Sequence, residues 1–119
     1  MLHHVSLEVQ PDQIERSAEF WGLLGFERIP APEPIATFVV WFERENTQIH
    51  LIQSTEPTVP RAGHAAVVAS DFQDTFDRLA AAGFEVSETR ELWGERRAFA
   101  TAPGGHLVEL MASPPESSS

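Results

Sequence analysis

HHVSLEVQPDQIERSAEFWGLLGFERI (residues 3–29) and GHAAVVASDFQDTFDRLAAAGFEV (residues 63–86) share one plan. Each opens with a strand-like run beginning near a histidine. Each continues into a stretch with apolar residues at helical spacing, closes at Gly-Phe and starts another strand-like run. A repeat separated by half the chain marks one structural unit used twice. Both halves continue through two further strand-like segments. The expected order is therefore strand, helix, strand, strand, strand, twice over.

The helices carry readable punctuation. In the first, Pro11 suits an opening turn, where a missing N–H costs little. Ile14, Ala18, Trp21 and Leu24 then form an apolar stripe. In the second, Ser70 or Asp71 is placed to cap, and Phe72, Phe76, Leu79 and Ala80 form the stripe. Gly25 and Gly83 follow the last turns, where a left-handed residue ends a helix. The strands are expected at about 2–9, 26–30, 36–44, 47–53, 63–69, 84–89, 96–102 and 106–111. Glu45-Asn46 and Pro103-Gly104-Gly105 read as turns. Residues 54–62 read as the link between halves. The spacing predicts one domain over 1–113, with modules of about 1–54 and 62–112 and a disordered tail over 114–119.

Composition narrows the function. The chain has 119 residues, a formal charge of −10 and no cysteine. That length gives one real core. The acidic balance argues against nucleic acid as a partner, because phosphate binding needs a basic surface. No apolar run reaches the length of a membrane span, and no basic stretch precedes an apolar block at the start, which fits a cytoplasmic location. Without cysteine, thiolate metal sites and disulfides are excluded.

Strand alternation sorts the candidate functional residues. Val5, Leu7 and Val9 share one face of the first strand; His4, Ser6 and Glu8 share the other. Phe38, Val40 and Phe42 oppose Thr37, Val39, Trp41 and Glu43. Ile49 and Leu51 oppose Gln48 and His50, and Val108 and Leu110 oppose Glu109. Each sheet thus has an oily face for its helix and a second face carrying polar groups. His4 and His50 are 46 positions apart, and His64 and Glu109 are 45 apart. Three imidazoles and one carboxylate are a donor set for a borderline divalent metal. Trp41, Arg97 and Phe99 are expected to line the same cavity, where an arginine can hold a carboxylate or phosphonate by paired hydrogen bonds. Trp93, beside Gly94, is expected to cover its mouth. His3 and His106 fall on the opposite face, as surface or packing residues.

The ordered set LHHVSLEV, SAEFWGLLGFE, QIHLIQ, GHAAVVASD and APGGHLVELM resembles the vicinal-oxygen-chelate superfamily, which includes glyoxalase I, thiol transferases of fosfomycin resistance, methylmalonyl-CoA epimerase, extradiol dioxygenases and bleomycin-binding proteins. The resemblance covers residues 2–112. It implies an α+β fold in which two βαβββ modules form curved mixed sheets around a cup. It also implies metal ligands from the first and fourth strands of each module: His4, His50, His64 and Glu109. His50 departs from the carboxylate of glyoxalase I and the amide common in epimerases. Members with three ligands use the matches of His4, His64 and Glu109, which makes His50 either a ligand or a pocket-lining group.

The implied function is a divalent-metal-dependent glyoxalase-like enzyme. It would carry out lyase, isomerase or thiol-transfer chemistry on a small oxygen-chelating substrate, with Glu109 moving the proton. One ion per site is implied, with Zn, Ni, Co, Mn and Fe all open. Two alternatives stand beside it: a metal-free binder of the bleomycin-resistance type, and an extradiol-type iron dioxygenase. A homodimer is the implied assembly, with the cup closed either within one chain or between modules of two chains.

Overall fold

The computed structural model describes residues 1–116. Its strands are β1 (His4–Val9), β2 (Glu27–Ile29), β3 (Val39–Arg44), β4 (Thr47–Gln53), β5 (Ala65–Val68), β6 (Val86–Thr89), β7 (Arg97–Thr101) and β8 (Leu107–Met111). Its helices are α1 (Ile14–Leu23) and α2 (Phe72–Ala81). The expected order, βαβββ twice, is the order observed. The first four strands form one sheet, β1-β4-β3-β2, and the last four form another, β5-β8-β7-β6. In each sheet the first strand of the module, β1 or β5, runs parallel to its neighbour and the other pairings are antiparallel. These are the two mixed sheets that the resemblance implies.

Both helices end in the same way. The Gly25 N–H donates to Gly22 O and the Phe26 N–H to Trp21 O; the Gly83 N–H donates to Ala80 O and the Phe84 N–H to Leu79 O, all at 3.0 Å. Gly25 and Gly83 sit at φ 89° and 87°. This double bond pattern stops a helix by reversing the chain through a left-handed residue, the conformation that lacks a Cβ clash only in glycine. Phe26 then packs edge-on against Trp21, with centroids 5.4 Å apart. The apolar contact across the stop sets where the next strand begins.

Some boundaries differ from expectation. The third strand starts at Val39, because a short 3-10 turn at Glu33–Ile35 follows Pro32 and occupies the preceding stretch. Pro11 opens a 3-10 turn at Pro11–Gln13, and α1 begins after it. Asp71 takes the position before α2 without a side-chain capping bond. The turn at Glu45-Asn46 is present, with Glu45 left-handed at φ 55°. Of the expected tail, Pro114–Glu116 are exposed and irregular, and Ser117–Ser119 lie outside the described residues.

One core joins the two modules. Phe42, Ile49 and Leu51 from the first sheet, Ala98, Ala100, Val108 and Leu110 from the second, and Phe20, Trp21, Phe72 and Leu79 from the helices belong to a single buried cluster. Ala98 and Ala100 have no exposed surface, so small side chains let β7 lie close under its covering residues. Across the seam, Phe20 meets Phe84 edge-on at 5.2 Å, and an Arg16 Nη2 N–H donates to Ala82 O at 2.6 Å. His106, buried in β8's approach, bonds through Nε2 to Glu8 O at 2.7 Å, tying the second module to β1. It is a packing residue, but an interior one that bridges modules. Both sheets therefore spend their oily faces on one shared interior. Their other faces remain open: His4, Ser6, Ala66 and Val68 are exposed.

Candidate functional site

On the open face of the first sheet, cross-strand register sets two rows. Ile29, Trp41, His50 and Ser6 form one; Glu27, Glu43, Gln48 and His4 form the next. Trp41 stacks on His50, with centroids 4.1 Å apart and planes 3° from parallel. From the β1 side, His4 stacks on His50 at 4.0 Å and 16°. His3 lies just before β1, but its Nδ1 is 2.9 Å from His4 Nδ1 and its ring is 6.4 Å from His50. The expectation that it occupies the opposite face is corrected. Alternation does not bind a residue outside the strand.

His50 is 7% exposed, and its Nε2 is 2.7 Å from Gln48 Oε1. Burial, helped by the nearby His4 and His3 rings, pushes its pKa below the ordinary imidazole value. His50 is thus a ring held on two faces and at one nitrogen.

The open face of the second sheet carries the other pair. His64 Nε2 lies 3.1 Å from Glu109 Oε1, and Arg97 Nε donates to Glu109 Oε2 at 2.9 Å. Arg97 also donates from Nη1 to Arg90 O at 2.9 Å. Glu109 and Arg97 are 7% and 9% exposed. An arginine at this place reads in sequence as either a substrate clamp or a surface ion pair. Its observed partner is Glu109, in a buried pair. Phe99 packs edge-on to His64 at 5.1 Å and lies beside Arg97. Trp93 is pinned by an Nε1 hydrogen bond to Ser113 O at 2.8 Å, with the Arg97 guanidinium 5.5 Å from its ring.

The contacts of His64 fix which nitrogen it presents to Glu109. Its Nδ1 is 2.9 Å from Ala62 O, a carbonyl that only accepts, so Nδ1 carries a proton. Nε2 therefore faces the Glu109 carboxylate either as an N–H or as a lone pair. Lone pair against carboxylate is stable only with a cation between them. A proton satisfies that arrangement, and so does a divalent metal, for which an Nδ1–H anchored on a carbonyl is the usual support. The donor chemistry of this pair thus fits an ion.

The four sequence-selected residues come together as two pairs rather than one group. Among the described residues, no three His, Asp or Glu side chains are placed to share an ion. Gln48 and Glu43, which strand alternation puts on this face, were not singled out from the sequence as site residues, yet they contact the His50 side of the site. Their signal was available: each shares a face with His50 or Trp41 at two-residue spacing.

A family model for the Glyoxalase/Bleomycin resistance protein/Dioxygenase superfamily matches residues 1–110. The chain belongs to this superfamily. Among solved structures, the superfamily fold recurs in a glyoxalase family protein from Bacillus anthracis, at TM-score 0.82 and 23% identity over 93% of each chain. A glyoxalase/dioxygenase from Nostoc punctiforme aligns at TM-score 0.78 and 20% identity, covering 96% of this chain and 91% of the other. The fosfomycin resistance protein FosX from Listeria monocytogenes gives TM-score 0.77, 20% identity and the same coverages. No curated protein matches the chain. The superfamily contains enzymes of several reaction types, and among the described residues no helix is long and apolar enough to cross a membrane.

Proposed function

We propose that the chain is a divalent-metal-dependent, glyoxalase-like enzyme acting on a small oxygen-chelating substrate. Its complete site would form where the open face of one chain's first sheet meets the second sheet of a second copy. The observation that carries this reading is the 3.1 Å approach of His64 Nε2 to Glu109 Oε1 with Nδ1 already committed to Ala62 O. One module supplies two donors, and a stable four-donor set needs both modules face to face. His4, His64 and Glu109 would hold the ion, with His50 as fourth ligand or pocket wall. The identity of the ion, among Zn, Ni, Co, Mn and Fe, is left to assay. Such an ion supplies Lewis acidity toward two adjacent substrate oxygens.

The chain's own residues do the rest. Arg97 anchors Glu109 at Oε2, so Oε1 is the oxygen free to take and return a proton once His64 turns elsewhere. Trp41 and Phe99 offer aromatic walls, and Trp93 flanks Arg97. A metal-free binding role is the second reading. It is favoured by one observation: both Glu109 oxygens already have partners within the chain.

Elemental analysis of untagged protein, prepared with and without air, separates the two readings. Near-stoichiometric metal that is lost in His64→Ala supports the enzyme. No uptake of any of the five metals favours the binder. Mixing His4→Ala and His64→Ala chains tests sharing: after subunit exchange the mixture regains metal at one site per dimer, and no recovery defeats the shared site.

A further inference from the structure

We propose that Gln48, aimed by Glu43, is a positioning residue that fixes the His50 proton on Nε2 and leaves Nδ1 as its lone-pair nitrogen. The inference rests on the shared-site reading only for its purpose; the proton placement stands on contacts within one chain. Gln48 Nε2 donates to Glu43 Oε2 at 2.8 Å. A carboxylate only accepts, so the amide cannot turn its oxygen toward Glu43. Gln48 Oε1 is then forced toward His50 Nε2, 2.7 Å away, and an amide oxygen also only accepts. The nitrogen it meets must be an N–H. A neutral ring with its proton on Nε2 has a lone pair on Nδ1.

Strand geometry builds this relay. Glu43 and Gln48 are direct partners across β3 and β4, and His50 is two residues along β4 on the same face. Gln48 is 8% exposed, so water does not readily replace either partner. Trp41 and His4 hold the ring plane by stacking, and a flip within that plane would break the Gln48 contact, so ring plane and presented nitrogen are fixed together. The second module uses the opposite nitrogen. There Nδ1 of His64 is held by Ala62 O and Nε2 is presented. The two halves of the repeat thus orient their histidines from opposite sides of the ring.

The test uses the full-length, metal-free protein with ¹⁵N-labelled histidine and two-bond ¹H–¹⁵N correlation spectra. His50, assigned by His50→Gln, is expected to show a bare nitrogen at Nδ1 and an N–H at Nε2. Gln48→Met removes the acceptor and is expected to average the two nitrogens. Gln48→Lys replaces acceptor by donor and is expected to move the proton to Nδ1. If the lysine variant does not fold, Glu43→Gln serves, because Gln48 is then free to turn and partial averaging is expected. A proton on Nδ1 in the unmodified chain, or unchanged His50 nitrogens in every folded variant, overturns the proposal. A zinc titration adds a second readout, with binding expected about 10–100-fold weaker in Gln48→Met. The two readings fail separately. A fixed Nε2–H with no metal uptake defeats the metal enzyme and upholds the relay; normal uptake with an averaging His50 does the reverse.

Discussion

Replacing Arg97 by methionine removes the cation that faces Glu109 and keeps much of the side chain's bulk. Both groups are more than nine-tenths buried, and their contact is 2.9 Å. Breaking one member of a buried pair costs about 3–5 kcal/mol, because the remaining charge stays out of water without compensation. Two local features set the value here. His64, only partly buried, still touches the other carboxylate oxygen at 3.1 Å and offsets part of the loss. The freed Arg90 carbonyl belongs to an exposed residue, so water replaces its partner. The expected destabilisation is therefore near the lower end, about 3 kcal/mol. Urea unfolding at one fixed protein concentration measures it, since assembly makes apparent stability depend on concentration. With a slope of about 1–3 kcal/mol per molar, the midpoint falls by roughly 1–3 M. Glu109→Gln alone leaves Arg97 unpaired and is expected to cost a similar amount. The double variant should cost less than the sum of the singles, by about 2 kcal/mol. An Arg97→Met change within about 0.5 kcal/mol of the parent, or a strictly additive double variant, would refute the account of Glu109 as a buried, arginine-anchored carboxylate.

His50 has a folded-state pKa below its reference value of 6.5, so the unfolded chain binds more protons in the window beneath 6.5. Its contribution to stability is present above that pH and is lost as pH falls through the folded pKa; His50→Gln should flatten the acid limb of a stability–pH curve, and an unchanged limb would count against the burial argument. Gly25→Ala places a Cβ at φ +89° with Arg44 Cδ no nearer than 3.5 Å, so the cost is backbone strain rather than collision. Thermal unfolding should register a loss of about 1–2 kcal/mol, and a neutral result would show that the helix stop tolerates another conformation. His106→Ala leaves Glu8 O without its partner and should cost about 2 kcal/mol by denaturant titration. If the protein carries metal, a chelator should lower its melting temperature, and the shift should vanish in His64→Ala.

Much of the fold was legible because the sequence says it twice. The His-led strand, the apolar stripe and the Gly-Phe stop recur in both halves, and the stop is a local device that long-range packing need not rescue. Strand parity also placed His4 with His50 and His64 with Glu109. It could not decide how far apart the two sheets' open faces lie, since that depends on which faces share the core. Nor could parity assign His3, which precedes β1 and lies against His4. Arg97 was legible as sharing a sheet face with Phe99 but not as a partner of Glu109. Their contact needs β7 and β8 in register with Phe99 opposite Glu109, a pairing between strands that alternation within one strand does not specify. The 3-10 turn ahead of β3 was hidden for a similar reason: Thr37 and Phe38 alternate like strand residues, while Pro32 and Pro34 bend the approach.

His64 and Arg97 each hold one oxygen of Glu109 before any second chain arrives. A newly made chain can therefore fold with the Glu109 carboxylate already partnered, and a stray cation must compete with those neighbours for it. Under the shared-site reading, this orders events in time: pairing of chains comes first, and loading follows. Selectivity then acts at the loading stage, where weakly held ions lose to the guanidinium and imidazole already in place.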